Sequence, residues 1–151
     1  MNKKQRVIKR LKKTLRMVAQ YATLSNLPVG LDEVPRKLEA LDAHCAALGR
    51  DRSEISVSNL MFGMIGETND EATAARDAYL GQMGMSWDAL DEATRASFDA
   101  RMLVGGPDEV GEKVQHALGL GLDGIVFSLP ATGHDLDAVA TAGEILSKAM
   151  A

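Results

Sequence analysis

The stretch that most constrains the fold is Val104–Pro130, whose pattern predicts a turn, a helix, a second turn and a strand. Pro107 follows a double glycine and suits the first position of a helix, because a proline there has no N–H left without a partner. The run from Ile125 to Leu129 is rich in β-branched and aromatic residues, which is typical of a strand covered on both faces. A helix followed closely by such a strand predicts a parallel α/β architecture.

Two further strand-like runs lie upstream, at Leu24–Leu27 and Ile55–Ile65. Asp32 is placed to cap a second helix, and Thr68 with Glu71 has the spacing of a capping box at the start of a third. The predicted order is α-β-α-β-α-α-α-β-α, in which right-handed crossovers imply parallel strands with helices outside. About three strands are few for a doubly wound sheet, and fewer than the eight that close a barrel.

Composition limits the setting of the chain, which is expected to form a single domain over residues 1–151. One cysteine, Cys45, excludes an internal disulfide and favours a reducing, cytoplasmic compartment. No apolar run reaches the roughly 18 residues that a membrane-spanning helix needs. His44 and His116 lie within predicted helices without a second ligand at metal spacing, so no metal site is expected.

Charge is distributed unevenly along the chain. Residues 1–16 carry eight basic side chains and no acidic one, whereas the rest carries 9 basic against 21 acidic side chains. Apolar residues at helical spacing from Ile8 to Ala22 predict an amphipathic first helix. A charge run of this kind is usually the solvated face of a packing helix, while binding to nucleic acid or to an anionic membrane surface remains an alternative.

Two segments carry a resemblance to a known family: RKLEALDAHCAALGRDRSEISVSNLMFG and VGGPDEVGEKVQHALGLGLDGIVFSLP. In order and spacing they resemble the C-terminal half of the luciferase-like flavin- or F420-dependent oxidoreductases. In that family a helix ending in a Gly-Arg-Asp turn precedes the seventh barrel strand, and a Gly-x-Pro-Glu/Asp-Glu-Val helix with a Gly-Leu/Val-Asp turn precedes the eighth. The resemblance covers about residues 12–148.

The resemblance implies a fold and a cofactor. The family fold is a (β/α)8 barrel of about twice this length, so we expect a partial, half TIM-type barrel with about three parallel strands and outer helices. Residues 1–11, MNKKQRVIKRL, form an atypical basic helical start without the glycine-rich phosphate loop that the family usually has there. The implied cofactor is F420 or FMN, and the implied activity is hydride transfer or monooxygenation.

Candidate site residues follow from the barrel architecture, in which reactive groups lie at the C-terminal ends of the strands. His134 is the candidate catalytic residue, because it lies beside the carboxylate of Asp135; alternatively, Asp135 caps the last helix and His134 is an exposed loop residue. Asn26, Ser128 and Gly133 are the candidate cofactor-binding residues by position.

The double glycine at Gly105 and Gly106 could hold a phosphate at the start of a helix. Pro107 removes one donor, and the acidic Asp108 and Glu109 repel an anion. A helix cap is therefore the favoured interpretation.

Three classes of function remain open from the sequence. The first is a truncated luciferase-like oxidoreductase domain. The second is a non-catalytic, oligomeric half-barrel scaffold, and the third is a basic-helix module that binds nucleic acid or a membrane. Because a half-barrel leaves strand edges and its inner sheet face exposed, we expect a homo-oligomer or a complementary half-barrel chain as partner.

Overall fold

The computed structural model describes residues 13–150, and the predicted basic start at residues 1–11 lies outside them. Helices and strands alternate along this part of the chain: α1 (helical over residues 13–21), β1 (Leu24–Leu27), α2 (Val34–Leu48), β2 (Ser56–Ile65), α3 (Asn69–Gln82), α4 (Glu92–Asp99), β3 (Met102–Gly105), α5 (Pro107–Gly119), β4 (Gly124–Ser128) and α6 (Leu136–Ala149). Three 3-10 turns lie between them, at Leu31–Glu33, Arg52–Glu54 and Trp87–Ala89.

The sheet is parallel and centred on β2. Ser58 and Asn59 pair with both β1 and β4, so these two strands lie on opposite edges of β2. Phe62 pairs with both β4 and β3, which places β3 on the same edge as β1, further along β2. The three expected strands are therefore present in a parallel arrangement with outer helices, and β3 is an additional short strand.

The outer face of the sheet is covered by helices. Because side chains alternate along a strand, Val57, Met61 and Ile65 of β2 point to one face, and all are buried in the main core. The helices that cover them are α1, α2, α5 and α6, through these buried residues: Leu15, Ala19, Val34, Leu41, Cys45, Val110, Val114, Ala117, Ala142, Ile145 and Leu146.

The opposite face corresponds to the interior of a barrel, and we call it the inner face. It is formed by the alternate residues of the strands: Leu24, Asn26, Ser56, Ser58, Leu60, Phe62, Met64, Met102, Val104, Gly124, Val126 and Ser128. Helix α3 packs against β2 and β3, where Met64 and Met102 are buried outside the main core. Nearer the starts of the strands the inner face is open, with Leu24 75% and Val126 47% exposed.

The open inner face corrects the expectation that β4 is covered on both faces. None of the five residues of β4 is buried. Ile125 and Phe127 pack against the core on the outer face, whereas Val126 lies on the inner face and is exposed there. The apolar run predicted coverage on both faces because a complete barrel would supply it, and the described residues supply one side.

Helix boundaries differ from expectation at two places. Asp32 lies in a 3-10 turn rather than capping α2, which begins at Val34. The single helix that the predicted order places between α3 and α5 is a 3-10 turn, Trp87–Ala89, followed by α4, whose cap is Asp91. The backbone N–H of Thr94 donates to Asp91 at 2.8 Å, and this hydrogen bond lowers the pKa of the Asp91 carboxyl.

The Gly49-Arg50-Asp51 turn joins α2 to the first helix. Gly49 ends α2 in the left-handed conformation, with φ of 65°. The guanidinium of Arg50 then donates to the carbonyl of Ala19 at 3.0 Å, at the C-terminal end of α1, where a cation is favourable. Asp51 accepts from the backbone N–H of Ser53, which lowers the pKa of its carboxyl. The turn therefore fixes how α1 and α2 meet.

No helix within residues 13–150 is long and apolar enough to cross a membrane.

Candidate functional site

The open part of the inner face carries uncharged residues only, in a chain whose formal net charge is −4. Leu60 and Phe62 are half-buried apolar residues of β2, and Ser58 lies next to them on the same face. An apolar surface with a few convergent polar groups is the usual lining of a small-molecule site. The face is thus suited to an uncharged, flat part of a ligand.

Asn26 supplies a polar group on this face. Its Nδ2 donates to the hydroxyl oxygen of Ser58 at 2.9 Å, across the β1–β2 pair, and the contact is exposed. This bond fixes the orientation of the amide, since the donor end is turned towards Ser58. The Oδ1 acceptor of Asn26 and the hydroxyl proton of Ser58 are the groups left to meet a ligand.

Ser128 lies on the same face but not beside Asn26. Asn26 is level with Ser58, whereas Ser128 is level with Phe62, four residues further along β2 and on its other edge. Four residues correspond to about 13 Å along a strand. A ligand that contacts both candidates must therefore lie lengthwise over β2.

Gly133 lies in the loop between β4 and α6. Its N–H donates to the carbonyl of Leu129 at 2.7 Å, and a Cβ at this position would come within 2.6 Å of that same oxygen. The close approach of two backbone segments therefore requires glycine here. Its proposed contact with a cofactor remains a prediction beside this structural role.

His134 follows in the same loop and is exposed. Asp135 caps α6, since its Oδ1 accepts from the backbone N–H groups of Asp137 at 3.0 Å and Ala138 at 3.3 Å. Within residues 13–150 no hydrogen bond joins Asp135 to His134. The carboxylate thus serves the helix, and the role of His134 in catalysis stays a prediction that rests on its place beyond β4.

Two concavities lie beside the end of β1. The first, of about 180 Å³, is lined by these residues: Pro28, Val29, Leu60, Phe62 and Arg101. The second, of about 370 Å³, lies between the Leu31–Glu33 turn and α4 and also includes Arg101. Arg101 was not among the predicted site residues, because its only mark in the sequence is a charged side chain directly before the short apolar run of β3.

The double glycine lies at the junction of α3 and α5. The N–H of Gly106 donates to Oδ1 of Asn69 at 2.6 Å, and Nδ2 of Asn69 donates to Oε1 of Glu109. Gly105 has φ of 156°, and a Cβ there would meet the Cβ of Glu109 at 2.6 Å. The side chain of Asn69 thus occupies the donor that a phosphate would need, and Gly106 caps α5 as expected.

Metal ligation finds no support in this part of the chain. Across the residues that the structure describes, no group of three His, Cys, Asp or Glu side chains is placed to hold an ion.

Comparison with known proteins gives the fold. No family model and no curated protein matches the chain. Among solved structures, the F420-dependent tetrahydromethanopterin reductase from Methanopyrus kandleri matches with a TM-score of 0.65 and 16% identity, over 91% of this chain and 48% of that one. Riboflavin lyase, solved with modified FMN and riboflavin, matches with a TM-score of 0.66 and 17% identity, over 89% and 40%. The oxygenating constituent of 3,6-diketocamphane monooxygenase from Pseudomonas putida, solved with FMN, matches with a TM-score of 0.60 and 20% identity, over 89% and 43%.

The chain has a luciferase-like fold. It spans less than half the length of these solved structures, and its open parallel sheet matches part of a TIM-type barrel. The expected partial barrel is thereby confirmed. At these identities the likeness establishes architecture, so cofactor and activity are argued below.

Proposed function

We propose that the chain is part of a luciferase-like oxidoreductase that binds F420 or FMN on its inner face and takes part in hydride transfer or monooxygenation. The observation that carries this proposal is the uncharged, open part of the inner face of a luciferase-like fold. The solved structures of this fold include proteins described as F420-dependent and as FMN complexes. When bound, such a cofactor supplies the redox chemistry itself, and the protein supplies binding and orientation.

The described residues divide this task between them. Leu60 and Phe62 offer an apolar surface for the face of a ring system. The Asn26–Ser58 pair offers an acceptor and a hydroxyl to its polar edge. His134, in the loop beyond β4, is the proposed group for moving a proton to or from a substrate.

A partner is part of the proposal. The solved structures are more than twice as long as the segment that this chain matches, and in a closed barrel the remaining strands cover the inner face. Leu24 and Val126 are exposed on that face here. We propose that a second copy or a complementary half-barrel chain covers them and completes the cofactor site.

The proposal is tested by titrating F420 and FMN into the protein and following cofactor fluorescence, alone and with a complementary half-barrel chain. Val126→Glu places a charge in the middle of the inner face, where it should abolish binding. Leu48→Glu is a matched control, because Leu48 is 43% exposed against 47% for Val126 and lies on α2, on the outer side of the sheet. Absence of binding to both cofactors in every mixture would remove the proposal.

The same variants address the scaffold alternative, which the open apolar face also supports. Light scattering across micromolar concentrations measures association. If Val126→Glu dissociates an oligomer that binds neither cofactor, the chain is a half-barrel scaffold. The basic-helix alternative depends on residues 1–16, six of whose eight basic side chains lie outside the described residues.

A further inference from the structure

Arg101 holds a position that the proposed function leaves unused. It directly precedes β3 and lines both concavities beside the end of β1. Its carbonyl accepts from the N–H of Phe62 at 3.0 Å, so the backbone at this position is fixed against β2. A guanidinium is thereby anchored at the edge of an uncharged face.

The side chain of Arg101 makes no internal polar contact, whereas most arginines within residues 13–150 do. It is exposed and has no ion pair or hydrogen bond with any described residue. By contrast, five arginines are engaged by carboxylates or carbonyls: Arg36, Arg50, Arg52, Arg76 and Arg95. Arg101 can therefore meet an anion without first breaking an internal contact.

The two concavities differ in what they offer to an anion. Asp32 and Glu33 line the larger one, and their carboxylates repel negative charge, although Glu33 is paired with Arg36 at 2.8 Å. In the smaller one Arg101 is the only charged lining residue among residues 13–150, and Leu60 and Phe62 continue the concavity onto the inner face. An anionic group attached to a flat apolar ring fits the smaller concavity.

We propose that Arg101 binds the phosphate group of the flavin or deazaflavin cofactor. The guanidinium presents a planar fork that matches two phosphate oxygens, so it both attracts and orients the group. The ring then extends from this end over Leu60 and Phe62. The inference rests on the proposed function, since it assigns one end of the same ligand.

The test compares cofactors that differ in their phosphate. FMN is titrated against riboflavin, and F420 against its phosphate-free deazaflavin chromophore, with wild-type protein and with Arg101→Gln. Loss of the charge-assisted contact should weaken binding of the phosphorylated member about tenfold and leave the phosphate-free member unchanged. The wild-type preference should also fall as salt is raised, because the site is exposed.

Two variants sharpen the result. Arg101→Lys keeps the charge but loses the fork, and should restore part of the preference. Arg16→Gln removes an exposed cation from α1, on the far side of the sheet, and should change nothing. If Arg101→Gln keeps the full preference for phosphate, the inference fails while the proposed function stands. If wild-type protein binds none of the four ligands, both fail.

Discussion

The buried Asn59 offers the sharpest test of how the strand ends are held. Its Nδ2 donates to the carbonyl of Leu27 at 2.7 Å and to that of Val29 at 2.9 Å, while its Oδ1 is buried without a partner. The two acceptors flank Pro28, which has no N–H to pair with β2. The amide therefore ties down the chain just beyond β1, where one wall of the smaller concavity begins.

Replacing Asn59 by alanine removes the donor and leaves both carbonyls without it. A buried acceptor that loses its partner costs about 1–3 kcal/mol, and the Val29 carbonyl is only part-buried, so water recovers part of its share. The substitution also removes the unpaired Oδ1, which relieves a penalty of similar size at one atom. Two losses against one gain give a net destabilisation of about 2 kcal/mol, which corresponds to a fall in Tm of roughly 4–8 °C for a chain of this size.

Urea unfolding followed by far-UV circular dichroism measures this loss, with unchanged m-values as the condition for comparison. Asn26→Ala is the control, because it deletes one exposed hydrogen bond and should stay within about 0.5 kcal/mol of wild type. Asn59→Asp should be worse than Asn59→Ala, since an oxygen then faces two carbonyl oxygens in a buried site. If Asn59→Ala lowers the free energy of unfolding no more than Asn26→Ala does, the amide does not hold the strand end. The same conclusion follows if Asn59→Asp and Asn59→Ala lower it equally.

Three further substitutions test single features of the fold. Gly133→Ala forces a Cβ against the carbonyl of Leu129 and should lower the free energy of unfolding by about 1–3 kcal/mol, measured by thermal unfolding, whereas an unchanged Tm would mean the loop has another conformation. Burial lowers the pKa of the Lys113 ammonium in the folded chain below its usual value. The unfolded chain then binds more protons between the lowered pKa of the folded chain and the usual lysine pKa, so the free energy of unfolding should rise with pH through that window for wild type relative to Lys113→Met; a flat difference in urea titrations contradicts this. Thr68→Ala removes the hydroxyl that accepts from the N–H of Glu71 and should cost about 1 kcal/mol by urea unfolding, with no effect if the cap is not formed in solution.

Local chemistry made much of the architecture predictable. Leu24–Leu27 forms a strand with the bounds that its apolar run and Pro28 indicated, and α5 begins at Pro107 because the proline lacks an N–H and glycine precedes it. Half of the predicted capping box is formed: the Thr68 hydroxyl accepts from the N–H of Glu71, whereas the Glu71 carboxylate accepts from the N–H of Glu67 rather than from that of Thr68. Such features depend on a few neighbouring residues, so the sequence carries them almost completely.

Strand β3 and the orientation of α2 were not predictable in the same way. Met102–Gly105 is too short to stand out, and it forms a strand because β2 is long enough to pair with β1 and β3 in succession. Along α2, Leu48 continues the helical spacing of Leu41 and Cys45. Leu48 is nevertheless exposed, whereas the charged Lys37 is only 6% exposed. Which residues of α2 are buried therefore depends on the elements that the helix packs against, and not on its apolar spacing alone.

The same division applies to the candidate site. The order of strands and loops in the sequence is enough to predict that Asn26, Ser128 and His134 lie at or beyond strand ends. Their separation could not be foreseen, because it depends on the register of β1 and β4 against β2. The exposure of Arg101 depends on where α4 delivers the chain to β3, which no local pattern encodes.

The two faces of the sheet separate stability from binding, and this decides how variants of the site are interpreted. The main core lies on the outer face, where the helices bury the alternate residues of β2. Leu24, Val126 and Arg101 are exposed, so replacing them removes little buried area and should leave the free energy of unfolding nearly unchanged. A loss of cofactor binding at Leu24 or Val126 can therefore be assigned to the inner face, and a loss at Arg101 to the smaller concavity. A loss at Asn59 must first be corrected for the stability that its two hydrogen bonds contribute.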